Sequence, residues 1–447
     1  MRRAHKDGLK AGNPLSKRDA LKDDEDDQRS GLRVRSLRRR VDGNDNSVDE
    51  PDTELTASSI DFEETVYRDL LYISTPRNVN SLLNLNNHYW KYKKAGKGVT
   101  AYVIDSGADL SHPELISERI VDWLFTEPGA ASERDDTDAS ARQAPDIVMG
   151  ATGPYYPGHH GTSVTSKIIG KTVGVARDTD IVIVKNVSTS RARYDGWSML
   201  DALLKVYNHV RDRSARNDIT RSVIVMASGY YQDLRNTKFK EHRWDAGTGE
   251  PVMTNSFWDL HIAQLAKIVH LLFKEGVYIV SAAEPVYNSD GYDFDEGDYP
   301  NSLKILTAEE LGGQIDLDNY IVVNPMDMKT GQDFHPPAEF TSIAAPGTVK
   351  VATDRHGRNG HLSYEKGSSL ATPVVAGVLA TFIGLGYEDP LQTLYENSYR
   401  RARGASKVVF NGITSDMWPD WFKKEVSLEE PVYIGLDSSR ETKRRTS

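Results

Sequence analysis

Gly367-Ser368-Ser369-Leu370-Ala371-Thr372-Pro373, followed by Val374-Val375-Ala376-Gly377, places two serines at the head of a run of small and apolar residues that continues to 385. A charge-free run of this kind reads as a helix buried on all sides. A serine at its start stands beside N–H groups that have no intrahelical acceptor and at the positive end of the helix dipole. That position suits the stabilisation of an alkoxide or a tetrahedral oxyanion. N-capping by Ser368 or Ser369 is the plainer use of the same residues. Pro373 is expected in the first turn, where a missing N–H costs least.

Upstream of this helix, strands and helices alternate. Residues 99–104, 181–187, 222–226, 276–280 and 320–323 are short β-rich runs. Residues 162–169, 198–213 and 257–274 have helical character, and Leu200, Leu203, Leu204, Tyr207 and Val210 are expected to share one face. The alternation predicts an α/β fold, a mainly parallel sheet with helices on both faces. A further helix is expected over 391–403. There is no internal repeat.

The ends of the chain differ from its middle. The first 64 residues carry 13 Lys/Arg and 16 Asp/Glu in blocks, with acids over 23–27 and arginines over 33–40. So little apolar surface cannot offset chain entropy, and a disordered segment is predicted over 1–66. The basic block could serve as a nuclear or nucleic-acid patch, but its acidic neighbours favour a solvated tail. Lys17-Arg18 and Arg38-Arg39-Arg40 are potential processing sites. The remaining expected divisions are a catalytic-type domain over 67–390 and, over 391–447, a helix, an irregular extension and a basic tail.

Bulk properties remove several classes of function. The 447 residues include no cysteine, which excludes disulfides, thiolate nucleophiles and Cys-type zinc sites. A net charge of −10 argues against a nucleic-acid partner. No apolar stretch approaches the roughly 18 residues of a membrane span, so no membrane partner is expected. Met1 to Lys10 lacks the apolar core of a signal peptide.

Two other segments carry potential chemistry. In Val103-Ile104-Asp105-Ser106-Gly107 an apolar strand runs into a carboxylate and a glycine turn; read alone, the aspartate is a turn cap. In Gly158-His159-His160-Gly161-Thr162 small residues flank a histidine before a helix; read alone, the pair is a polar loop or half of a metal site. Both lie where an α/β sheet places its sites.

Taken together, Asp, His and Ser follow one another in the subtilisin order, and the sequence resembles the subtilisin-like serine peptidases (subtilases) over roughly 67–386. Asp105-Ser106-Gly107 with His112-Pro113-Glu114-Leu115 is similar to the family's Asp motif. His160-Gly161-Thr162 with Gly174-Val175-Ala176 resembles its His motif, and Gly367 to Pro373 its Ser motif, with Ala345-Pro346-Gly347 ahead of it. The resemblance implies a subtilisin-like fold and a triad of Asp105, His160 and Ser369. His160 would be general base and acid, Asp105 would hold its tautomer, and Ser369 would carry the acyl group of an extended polypeptide substrate. A monomer with no cofactor is expected; the resemblance also implies secretion and allows structural calcium, although the acidic run over 290–298 does not fit an EF-hand loop and reads better as solvated.

Three departures from the family stand out. An Asn side chain normally supplies one oxyanion donor, but here Ser281-Ala282-Ala283 runs into Glu284-Pro285. Read without a gap, proline occupies the donor position and offers nothing. Read with an insertion, Asn288 becomes the donor candidate. Ile224-Val225-Met226-Ala227-Ser228-Gly229 stands where the family pairs with substrate backbone, and has fewer polar groups. The first 64 residues do not resemble a folded propeptide. The rival readings are a subtilase-fold binding protein with weak or no catalysis, and a nucleotide-binding protein. The latter needs a G-x-G-x-x-G turn that Asp105-Ser106-Gly107-Ala108 does not supply. The C-terminal aromatics Trp418, Trp421 and Tyr433 are expected to pack on the main domain.

Overall fold

The computed structural model describes residues 58–79, 81–126, 148–150, 153–155, 160–186, 196–216, 221–227, 255–283, 286–288, 291–293, 317–335, 337, 341–353 and 361–426. In chain order the first half comprises β1 (Ile60–Glu64), α1 (Arg68–Ile73), β2 (His88–Tyr92), β3 (Val99–Asp105), β4 (Ile120–Phe125), β5 (Val148–Gly150), β6 (Gly153–Tyr155), α2 (His160–Ile169), β7 (Asp180–Lys185), α3 (Gly196–Ala215) and β8 (Arg221–Met226). The second half comprises α4 (Asn255–Lys274), β9 (Tyr278–Ala282), β10 (Val286–Asn288), β11 (Gly291–Asp293), β12 (Tyr320–Met326), β13 (Ile343–Pro346), β14 (Thr348–Thr353) and β15 (His361–Lys366). It ends with α5 (Ser368–Gly384), α6 (Pro390–Asn397), β16 (Tyr399–Arg400), β17 (Lys407–Val408) and α7 (Asp420–Glu425).

The frame is a nine-stranded sheet in the order β16-β17-β13-β12-β9-β8-β3-β7-β4. All neighbours are parallel except the β16–β17 pair at one edge. β3 is interior, paired with β8 and β7. Its residues alternate between two cores. Ala101 and Val103 face the side that carries α2 and α5, while Tyr102 and Ile104 face the side that carries α3 and α4. Burial on both faces explains why β3, β7 and β8 read as continuous apolar runs rather than alternating ones. α5 is apolar around its circumference because it packs against the sheet, α2 and α6 together. Truncating its fully buried Phe382 to alanine would cost about 3–5 kcal/mol.

Some expectations shift. On α3 the buried stripe is Met199, Ala202, Leu203, Val206 and Val210, and Leu204 is 41% exposed instead of sharing it. The stripe runs along i, i+3, i+4, i+7 and i+11 from Met199, which turns Leu204 outward. The folded part begins before residue 67. β1 pairs antiparallel with β2, Phe62 opposite Trp90, although it belongs to the charged segment. The helix expected over 391–403 ends at Asn397, and β16 and β17 join the large sheet, so the chain after 390 is part of the same frame. Asp389 caps α6 through the Gln392 N–H at 2.8 Å. Trp418 is buried and stacks on Trp90 with ring centroids 6.0 Å apart, and Trp421 lies 5.6 Å from Phe62. Residues 1–57, with the basic clusters at 17–18 and 38–40, and Tyr433 lie outside the described residues. Among the described residues no helix is long and apolar enough to cross a membrane.

Candidate active site

Three elements bring the candidate residues to the C-terminal edge of the parallel sheet, where crevices form in such folds. Asp105 is the last residue of β3 and is fully buried. A lone buried carboxylate would be costly. Here Oδ1 accepts the Ser106 N–H at 2.7 Å, and His160 Nδ1 lies 3.0 Å from Oδ1 and 2.9 Å from Oδ2.

His160 opens α2, and the local sequence explains how it comes so close. Gly107, with φ of +113°, turns the chain sharply after Asp105. A Cβ at Gly161 would stand 2.0 Å from the Gly107 carbonyl oxygen, so backbone meets backbone there and only glycine fits. The contact is pinned on both sides. The Gly161 N–H donates to Ser106 Oγ at 3.0 Å, and the Asp109 N–H donates to Thr162 Oγ1 at 2.9 Å.

Ser369 is the second residue of α5 and is half-exposed. The helix is preceded by Gly367, and no side chain caps it. Ser368 and Ser369 therefore lie inside the first turn instead of capping it, and their N–H groups are among those without an intrahelical acceptor. A Cβ at 367 would press within 3.1 Å of the Ser369 hydroxyl, so glycine keeps that side open. Pro373 falls beyond the first turn, because the helix starts at Ser368. Having no N–H, it leaves the Ser369 carbonyl without its usual helical donor. α2 and α5 pack against each other, and α5 starts at this edge of the sheet, where the Gly367 N–H donates to the Gly347 carbonyl and the Gly347 N–H to that of Met326, the last residue of β12, both at 2.9 Å.

Several supporting residues were not evident as such in the sequence. Glu114 is buried, and its Oε1 accepts the Thr172 N–H at 2.5 Å and the Val173 N–H at 2.9 Å, fixing the loop after α2. Ser163 Oγ donates to the Ala352 carbonyl at 2.8 Å, and Ser166 Oγ accepts the Ala352 N–H at 2.9 Å, tying α2 to β14. The Glu114 N–H donates to His112 Nδ1 at 3.1 Å, which makes Nε2 the donor to the His361 carbonyl, also at 3.1 Å. His112 and Glu114 fall within the motif at 112–115, whereas Ser163 and Ser166 carried no signal: a polar residue on a helix face gives no hint of a partner almost two hundred residues away.

Residues 96–388 match the subtilase family. The chain belongs to the subtilase family. Among its relatives, Subtilisin-like protease 7 of Trichophyton violaceum is 26% identical over 307 residues, covering 67% of this chain and 55% of the relative. Subtilase-type proteinase psp3 of Schizosaccharomyces pombe is 24% identical over 331 residues, 73% of this chain and 56% of the relative. The chain thus spans little more than half the length of these relatives. A crystal structure of a cold adapted subtilisin-like serine proteinase aligns with a TM-score of 0.49 at 20% identity, covering 77% of this chain and 98% of that one. Membership accounts for the large, mainly parallel sheet with helices on both faces.

In this subtilase the segment read as the oxyanion turn is only partly described. β9 ends at Ala282, and Ala283 is held by its N–H to the Val323 carbonyl at 2.9 Å. Glu284 and Pro285 lie outside the described residues, as does His159. Asn288 closes β10, opposite Gly291 of β11 in a hairpin that follows β9 directly. Of the acidic run at 290–298 only the β11 residues are described, and among the described residues no group of three His, Asp or Glu forms a metal-binding cluster.

Proposed function

We propose that this subtilase is a serine endopeptidase that cleaves extended polypeptides through an acyl-enzyme on Ser369. The observation that carries the reading is the pairing of His160 Nδ1 with both oxygens of the buried Asp105. A carboxylate can only accept, so Nδ1 carries the proton and Nε2 is left as the basic nitrogen.

The steps follow from that tautomer. Ser369 Oγ bonds to the substrate carbonyl carbon as its proton passes to His160 Nε2. Asp105 stabilises the imidazolium so formed. Negative charge on the carbonyl oxygen is met by the Ser369 N–H and the positive end of α5. His160 returns the proton to the amine nitrogen as the C–N bond breaks. Water then repeats the sequence on the acyl-enzyme and restores Ser369.

A second reading, catalysis that is weak or absent with the fold retained for binding, is favoured by one feature of the sequence. Glu284-Pro285 follows Ala283 where a donor is needed, and an ionised glutamate there would oppose the developing charge. The extracellular location that the resemblance implies belongs to the same proposal. The test is hydrolysis of an unfolded polypeptide such as casein. The parent chain is expected to cut it and Ser369→Ala to leave it intact. Equal hydrolysis by both would refute the serine mechanism, and none by the parent would favour the binding reading.

A further inference from the structure

We propose that Asp69 and Lys167 form a buried strut that positions His160, so that a segment ahead of the family-matched region is a working part of the active site. The inference rests on His160 acting as the base.

Lys167 lies on α2 and is fully buried, as is its partner Asp69 on α1. Lys167 Nζ donates to Asp69 Oδ2 at 2.5 Å and to the Val173 carbonyl at 2.9 Å. Asp69 Oδ1 accepts the Lys350 N–H of β14 at 3.3 Å. The pair therefore joins three elements: α1, the histidine helix, and the hairpin that leads into Ser369. Seven residues separate Lys167 from His160, two helical turns within about 20°. The two side chains lie along one stripe of α2, about 10 Å apart in rise. A movement of Lys167 along or around the helix would therefore be carried to His160 through the two hydrogen-bonded turns between them.

A buried ion pair is weak evidence for stability, since an apolar pair of similar size commonly does as well. Burial lowers the Lys167 pKa, with Asp69 acting against it. What such a pair supplies that an apolar contact does not is direction, since the ammonium must meet one carboxylate and one carbonyl. Asp69 belongs to an arm that is separately fixed beside the same helix. Glu63 on β1 is paired with Arg177, just beyond α2, and with Lys91. Both Glu63 and Asp69 precede residue 96, where the family match begins.

The test separates register from stability. In the full chain, Asp69→Leu with Lys167→Met replaces the pair by apolar groups of similar volume. The double variant is expected to regain a Tm near the parent's, yet to react at Ser369 with a fluorophosphonate about 10²-fold more slowly, the size of effect that follows a small misplacement. Its low-field His160 Nδ1–H resonance should also shift or disappear. A double variant with parental labelling rate and parental resonance would overturn the proposal. Should the double variant not fold, Asp69→Asn decides. Labelling at least about tenfold slower, at a temperature where circular dichroism shows a native spectrum, supports the strut, and parental labelling refutes it. If the parent does not label at all, the serine mechanism fails. The His160 resonance needs no turnover and still scores the strut in that case.

Discussion

Replacing Asp105 with asparagine changes one atom pair and tests how the histidine is held. Asp105 Oδ1 accepts the Ser106 N–H at 2.7 Å, so an asparagine keeps its carbonyl oxygen there. Its amino group then takes the place of Oδ2, which lies 2.9 Å from His160 Nδ1. Two donors cannot face each other, so Nδ1 must give up its proton and become the acceptor. The proton moves to Nε2, the nitrogen that should receive the Ser369 proton. The geometry survives and the tautomer is wrong. The same substitution in a triad of this kind lowers kcat by about 10⁴, or roughly 5.4 kcal/mol of barrier. Stability should move the other way or not at all, since a fully buried charge has been removed while its hydrogen bonds are kept. The assay is the rate of fluorophosphonate labelling at about neutral pH, beside thermal unfolding of the same sample. A variant that labels at the parental rate with unchanged Tm would refute the role given to the Asp105–His160 pair.

Other expectations follow from single contacts. Gly161→Ala should cost about 1–3 kcal/mol in urea unfolding and most of the activity, because its Cβ would stand 2.0 Å from the Gly107 oxygen; a Tm equal to the parent's would show that this backbone contact is looser than described. Burial raises the Glu63 pKa, but its bonds to Arg177 and Lys91 outweigh this and leave it lowered. Its contribution to stability is therefore present above the ordinary value of 4.5 and is lost as pH falls through the lower folded value, so Glu63→Gln should flatten the stability–pH curve in that acid range. If Asn288 donates to the oxyanion, Asn288→Ala should lower kcat by about 10²–10³ with little change in KM. If instead Glu284-Pro285 occupies the donor turn, Asn288→Ala should be silent and Glu284→Gly with Pro285→Asn should raise turnover.

The ends of the elements that hold the proposed triad residues were legible because their signals are local. Asp105 ends an apolar strand, His160 opens a helix next to Gly161, and Ser369 is the second residue of an uncharged helix; each element is found within two residues of its expected start. What escaped the sequence depends on distant partners. β1 reads as part of a charged tail because, among the described residues, the partners of its Glu63 are Lys91 and Arg177, far along the chain. Tyr399 and Arg400 continue a helical pattern but leave it to pair with Val408 and Lys407. β13 is only four residues long and β15 is exposed or half-buried along its whole length, so neither offers the long apolar run of β3, β7 and β8. Lys167 reads as an ordinary helical lysine, and nothing in its neighbourhood announces an aspartate 98 residues earlier.

The central claim is that Ser369 is a nucleophile activated by His160, and adduct mapping tests it most directly. The parent chain, Ser369→Ala and His160→Ala are treated with a fluorophosphonate, digested and analysed by mass spectrometry. A single phosphonylated peptide, modified at Ser369, is expected in the parent, and no adduct in either variant. An adduct on another residue, or one that persists in both variants, would contradict it.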